Sequence, residues 1–345
     1  MTRGYRGCWK KGKGTMRFII WILAIGALCW CGYWFVASSA LDRGANAWFE
    51  DRRADGWQAD YRDLDISGFP YRFDATLSDV ALADPETGVV LQAPEFIVTA
   101  LAYQPNHVIA IFPDEQTLRS PFDTLTITSA DMRASARVGG TNVELRESTA
   151  EMEQVSVTST QGWEVTLKRG LLATRATGDN SYDLYFEATD LRPSDALRLD
   201  IDPQDRLPDT FETLKLDATV AFDAPWDRFS IERARPQPTS IDLKEFDARW
   251  GQLELRAVGQ LDVASDGTPD GRITVKAINW REIVSIGQAT GVIPESAVRM
   301  ITSGLEMMAS LSGPPNTIDV PLTFQGGRMS IGPLPLGPAP KLRLR

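Results

Sequence analysis

A chain of 345 residues, 43% hydrophobic and 24% charged, is long enough for one large domain or two ordinary ones and too apolar to be disordered. Its formal charge of -10 is unevenly placed: residues 1–17 carry six basic side chains and no acid, so residues 18–345 carry -16. That acidic body argues against a nucleic-acid partner, because phosphate binding needs concentrated Lys and Arg.

The basic tail, residues 1–17, leads into FIIWILAIGALCWCGYWFVA, residues 18–37, which hold no charge. Twenty helical residues span about 30 Å, the hydrocarbon thickness of a bilayer, so this segment predicts a transmembrane helix. The positive charges on its N-terminal side predict a cytoplasmic tail and a periplasmic body, hence an inner-membrane, single-pass protein. Trp30, Tyr33, Trp34 and Phe35 crowd the far end of the run as an interfacial aromatic belt would. A cleaved signal peptide is the rival, since Ser38-Ser39-Ala40 offers small residues to a peptidase. The apolar run exceeds the usual signal length, which favours an anchor. Met16 is an alternative start. All three cysteines, Cys8, Cys29 and Cys31, fall in the tail or the span, so the exported body has no disulfides and must rely on its own core.

Residues 38–60 read as a juxtamembrane linker helix, with Leu41, Ala45, Trp48, Phe49 and Arg52 at helical spacing. From about residue 61 the period becomes 2. Leu214, Leu216, Ala218, Val220 and Phe222 alternate with polar residues; so do Leu253 and Leu255, Ile273 and Val275, Tyr182 to Phe186, and Ile318 to Phe324. Tyr71 to Leu77 alternate too, and then the phase shifts to Val80 and Leu82, which suggests a bulge near Ser78 or Asp79. Such strands have one dry and one wet face, as in antiparallel sheets. Turn signals at Asp84-Pro85, Gly139-Gly140, Gly178-Asp179-Asn180, Asp266-Gly267 and Gly326-Gly327 separate them.

Two helices are expected late in the chain. Asn279-Trp280-Arg281-Glu282 resembles a capping box opening a helix that ends at Gly291. Pro294 starts a second, which Gly313-Pro314-Pro315 stops. Two short helices cannot cover a dozen one-sided strands. Residues 61–345 are therefore expected to form a mainly β, periplasmic domain: a long antiparallel sheet, closed as a sandwich or barrel or curved into a trough holding something apolar. The apolar face would comprise Leu214, Leu216, Val220, Phe222, Leu253, Leu255, Ile273 and Val275.

Catalytic signals are absent. His107 is the only histidine, so no multi-histidine metal site exists. No G-x-S-x-G motif occurs. Gly7 to Lys13 fits the first part of a phosphate loop, but Gly14 follows where Ser or Thr is required. Asp200, Asp202 and Asp205 have only faint calcium-site spacing, with Pro203 among them. We expect no enzyme activity, no cofactor and no metal.

Gly68-Phe69-Pro70-Tyr71-Arg72-Phe73 after an N-terminal anchor resembles a hallmark of the domain-of-unknown-function 2125 family, membrane-anchored proteins of Gram-negative bacteria. The segment from Gly251 to Trp280 and the closing run from Val320 to Gly337 are similar to that family as well. The family supplies no catalytic residues. More distantly, one-sided strands behind a single anchor resemble AsmA-like envelope proteins, which implies lipid handling on a curved sheet. The partners expected are the bilayer and a phospholipid or other envelope lipid. The alternatives are a self-packed scaffold for envelope proteins and a carboxylate-based envelope hydrolase.

Overall fold

The computed structural model describes residues 12–344 except 86, 179, 203–206, 233–234, 290–292, 294, 313 and 333. The basic tail through residue 11, Asp179, Pro203, Asp205, and the helix punctuation expected at Gly291, Pro294 and Gly313 lie outside the described residues.

The first element, α1 (Gly12–Ala54), is one uninterrupted helix. The apolar run and the juxtamembrane segment form a single rod, not a span joined to a separate linker helix. No proline interrupts it, so nothing forces a break. At 1.5 Å per residue the rod is about 65 Å long, roughly twice a bilayer core. Almost none of its most apolar stretch is buried within the chain, and it is the one described helix long and apolar enough to cross a membrane.

Strands begin slightly earlier than expected. β1 (Gln58–Asp60) and β2 (Asp63–Ser67) share one edge of β3 (Arg72–Ala83), whose other edge pairs with β4 (Val90–Leu101). β5 (Gln104–Ile111) and β6 (Glu115–Arg119) each take one half of β4. β7 (Thr124–Thr128) pairs with β6 and β8 (Asp131–Gly139) with β5, and both lie against β9 (Glu144–Ser159). From β9 the sheet is a plain meander. β10 (Glu164–Gly178), β11 (Ser181–Arg192), β12 (Phe211–Phe222), β13 (Pro238–Trp250) and β14 (Leu253–Val263) each pair with the strand before. So do β15 (Pro269–Ile278), β16 (Thr317–Gln325), β17 (Arg328–Ile331) and β18 (Leu334–Pro338). All pairings are antiparallel. Among the described residues none joins β18 back to β1, β2 or β3. The sheet is open, neither barrel nor sandwich.

The phase shift expected near Ser78 is real, and it is shared by two strands. Pairing steps from Ser78–Glu95 to Val80–Ala93, leaving Asp79 and Pro94 unpaired. Asp79 has φ +51°, and Pro94 has no N–H to offer. Because both strands slip together, register survives and Leu77 and Val80 pack in one cluster. A similar seam leaves Gln154, Lys168 and Asp190 unpaired across β9, β10 and β11. Gly259 and Gly271 sit where β14 and β15 nearly touch; a Cβ at either would collide with the partner's carbonyl oxygen.

Four short helices complete the chain. The late pair, α4 (Trp280–Ala289) and α5 (Glu295–Ser312), lies where expected. Asn279 does not cap α4 with its side chain. It turns at φ +55° and its amide donates to the Gln252 carbonyl oxygen at 2.6 Å, tying the helix start to the β13–β14 turn. α2 (Asp195–Ile201), unexpected from sequence, is capped by Ser194, whose hydroxyl accepts from the Leu197 N–H at 3.3 Å. α3 (Phe229–Glu232) is a single turn in the β12–β13 connection.

Candidate functional site

Directly paired residues of antiparallel strands share a face, so the register itself draws the surface of the sheet. One line of partners runs Ile66–Ala75–Val98–Ala110–Ala134–Ala150 across β2, β3, β4, β5, β8 and β9. It continues Leu172–Phe186–Leu216–Phe246–Ala257–Val275–Val320 across β10 to β16. Every residue in it is apolar. The adjacent rows are apolar through β11–β16: Leu184–Ala218–Leu243–Gly259–Ile273–Leu322 on one side, and Ala188–Leu214–Ala248–Leu255–Ala277–Ile318 on the other.

The opposite face is charged. Lys215 meets Glu245 at 2.7 Å, Lys244 meets Asp183 at 2.8 Å, and Arg249 meets Asp247 at 2.7 Å. Lys244 and the Thr219 hydroxyl hold the Asp183 carboxyl below the usual carboxylate range, and Glu245 raises Lys215. Lys341 and Thr268 hold Asp266 lower still. The Lys215–Glu245 and Lys244–Asp183 pairs are partly exposed and add little stability, whereas Asp247 is buried beside Arg249.

Helices cover the apolar face at its two ends. At the first end α1 lies on it, with Phe49 packed against Ala59, Leu77 and Val80, and Trp34 against Phe73 and Ala102. At the last end α4 and α5 cover it: Trp280, Val284, Ile301, Leu305 and Ala309 bury Ala277, Ile318 and Val320. Between these caps the same line of residues is only half-buried, and Leu172 stays 45% exposed. Beside it Ala188, Ala218, Tyr182 and Val220 of the same face are buried, so the less covered part is a strip along this line.

The same face holds a cavity of about 660 Å³. Its floor is Leu145, Thr174, Tyr182, Leu184, Val220, Phe222 and Ile241. One wall is Trp226 in the β12–β13 connection, fixed by its N–H to the Tyr182 hydroxyl at 3.2 Å and by its carbonyl to the Leu145 N–H at 2.7 Å. The other wall is the C-terminal tail from Lys341 to Leu344. The tail runs along the strand ends: the Leu342 N–H bonds Gly267 O at 2.8 Å, and Leu344 exchanges two 3.0 Å bonds with the Gln237 amide. Lys341 holds the tail to Asp266 at 2.6 Å. The size suits one alkyl chain or a small apolar molecule.

The eight residues expected on the apolar face all lie on one face of β12, β14 and β15. They do not form one site. Val220 and Phe222 line the cavity, Leu255 packs under the late helices, and Leu253 is buried at the strand end. Leu214, Leu216, Ile273 and Val275 lie half-buried between. Tyr182 and Leu184 were read from sequence as the dry side of a strand but not as part of the candidate face, and Ile241, Trp226 and Leu342 were not singled out. His107 lies inside β5, opposite Arg137. Among the described residues no three of His, Cys, Asp and Glu converge as a metal ion would need.

A bacterial family, described as uncharacterized protein conserved in bacteria (DUF2125), matches residues 34–340. The chain belongs to the DUF2125 family. The match begins inside α1 at Trp34 and ends in the tail beyond β18, so it takes in the whole sheet and the late helices but not the Lys341–Leu344 wall of the cavity. No curated protein and no solved structure matches the chain, and the likeness to AsmA-like proteins has no counterpart in these comparisons.

Proposed function

We propose that this DUF2125 protein is an inner-membrane-anchored periplasmic binding protein that holds the acyl part of an envelope lipid on the apolar face of its sheet. The observation that carries the reading is the unbroken apolar line across thirteen strands, covered by helices at both ends and only half-buried between. Burying a fully exposed Leu or Phe gains about 1.5–3 kcal/mol, and the half-buried Phe186, Leu216, Phe246 and Val275 retain a fraction of that to gain, which favours an apolar occupant. Anchoring by α1 supplies lipid at high effective concentration, so modest affinity suffices. The resemblance to AsmA-like proteins points the same way.

Binding without catalysis fits the carboxylates. Asp123, Asp131, Asp183 and Asp266 are all held below the usual range by hydroxyl or cation partners. A glycosidase-type general acid needs the opposite shift.

The test is photo-crosslinking in cells of the full chain with benzoylphenylalanine at Leu216 or, on the charged face one residue on, at Asp217. Light-dependent lipid adducts at Leu216 and none at Asp217 are expected. Equal labelling, or none at either, would refute the proposal.

A further inference from the structure

Two hairpin tips at the first end of the sheet lie against α1 within its apolar run. The β2–β3 tip is Gly68 to Arg72, and the β4–β5 tip is Leu101 to Gln104. Trp30 Nε1 donates to Pro70 O at 3.0 Å, Tyr33 Oη to Ala102 O at 2.8 Å, and Trp34 Nε1 to Arg72 O at 2.9 Å. Phe69 stacks on Phe35 at 5.7 Å and meets Trp34 edge-on at 5.3 Å. These contacts fix the height of the sheet relative to the helix.

That height has a consequence if α1 spans the bilayer. Trp30 lies seven residues inside the end of the apolar run at Ala37, and Trp34 three. At 1.5 Å per residue, the tip carbonyls sit about 5–10 Å inside that end. Irregular backbone at such depth is tolerated only where its polar groups find partners within the protein. Here the three carbonyls nearest the helix accept from two indoles and a phenol. The side chains turned outward suit the same place. Tyr71 is 70% exposed, Tyr103 66% and Phe69 49%. Neither tip contains an acid, whereas the tips at the other end of these strands carry Asp84 and Asp123 beside the 87% exposed Phe122.

We propose that the Phe69–Tyr71 and Leu101–Tyr103 tips dock into the headgroup–acyl boundary of the membrane that α1 crosses, so that the sheet stands on the bilayer. Exposed tyrosines with an apolar body and a polar end belong at that boundary. The inference rests on α1 being a spanning helix, but not on the sheet holding lipid.

The experiment uses the full chain with Cys8, Cys29 and Cys31 replaced by Ser, reconstituted in phosphatidylethanolamine–phosphatidylglycerol vesicles. The environment-sensitive fluorophore NBD is attached at Tyr103→Cys, Tyr71→Cys, Phe122→Cys or Ile22→Cys. All four sites are exposed, so labelling leaves packing intact. Blue-shifted emission at Tyr71 and Tyr103, quenched by shallow spin-labelled lipid, is expected, with Phe122 reading water and Ile22 quenched by deep spin label. Tyr71 and Tyr103 reading water like Phe122, while Ile22 reads lipid, would overturn the docking alone. Ile22 reading water would overturn the spanning helix and the docking with it.

Discussion

Replacing Leu216 with Asp separates an uncovered apolar face from a covered one. Leu216 sits mid-line, paired with Phe186 and Phe246, and is half-buried. A carboxylate there keeps part of its water. The fold loses roughly half a leucine's burial and two cross-strand contacts of about 0.2–1 kcal/mol each, so Leu216→Asp is expected to cost about 2 kcal/mol. Val320 lies on the same line but is only 3% exposed beneath Ile301 and Leu305. Val320→Asp forfeits the full burial and strands a carboxyl without partners, for about 4 kcal/mol or more. Urea unfolding of the detergent-solubilised full chain, followed by tryptophan fluorescence, gives the two values. Lipid retained on native mass spectrometry should fall at least tenfold for Leu216→Asp. Equal destabilisation by the two variants would mean that the middle of the sheet is covered after all. Unchanged lipid with Leu216→Asp folded would put the ligand elsewhere.

Three further outcomes are expected. A phosphatase active only in the periplasm should work when fused after residue 60, and a cytoplasm-specific reporter should stay silent there; the reverse pattern would invert the topology. Lys341→Ala should speed hydrogen exchange at the Leu342 and Leu344 amides, which the Lys341–Asp266 contact helps to hold, without changing exchange in β11. The Asp183 carboxyl is held low by Lys244 and then Thr219, so its contribution is complete above the unfolded value near 3.8 and is lost as pH falls through the lower folded one. Asp183→Asn should therefore flatten the fall of the urea midpoint below about pH 4; an unchanged acid limb would discount that contact.

The strands that could be read from sequence are those whose floor residues are large. Leu214 to Phe222 and Ile318 to Phe324 alternate plainly because each floor position is aliphatic or aromatic. β9 does not, since its floor is Ser148, Ala150 and Met152, and two-residue periodicity fades when the dry side is nearly as small and polar as the wet side. α2 escaped because seven residues are too few for a helical period to show. Of the site, the face of β12, β14 and β15 was legible, because alternation alone assigns faces. The cavity was not: it depends on Trp226 and the tail folding back over Tyr182 and Val220, contacts set by connections whose own sequences have no period. The single helix from residue 12 to 54 was also hidden, because its composition changes from apolar to charged near Asp42 while its backbone does not.

The meander from β9 to β18 gives every strand its predecessor as a template. Loop-closure cost stays small at each step, so this half can assemble like a zipper, one hairpin at a time. The nested pairing of β4 to β9 is different, since β5 must wait for β8, which arrives after the β6–β7 hairpin has formed. Stability in the meander is then close to a sum of nearest-neighbour terms, as in repeat proteins. A hairpin inserted there would lengthen the apolar floor by two strands while leaving α1, the tips beside it and the late helical cap in place. The width of that floor is, in that sense, adjustable in units of one hairpin.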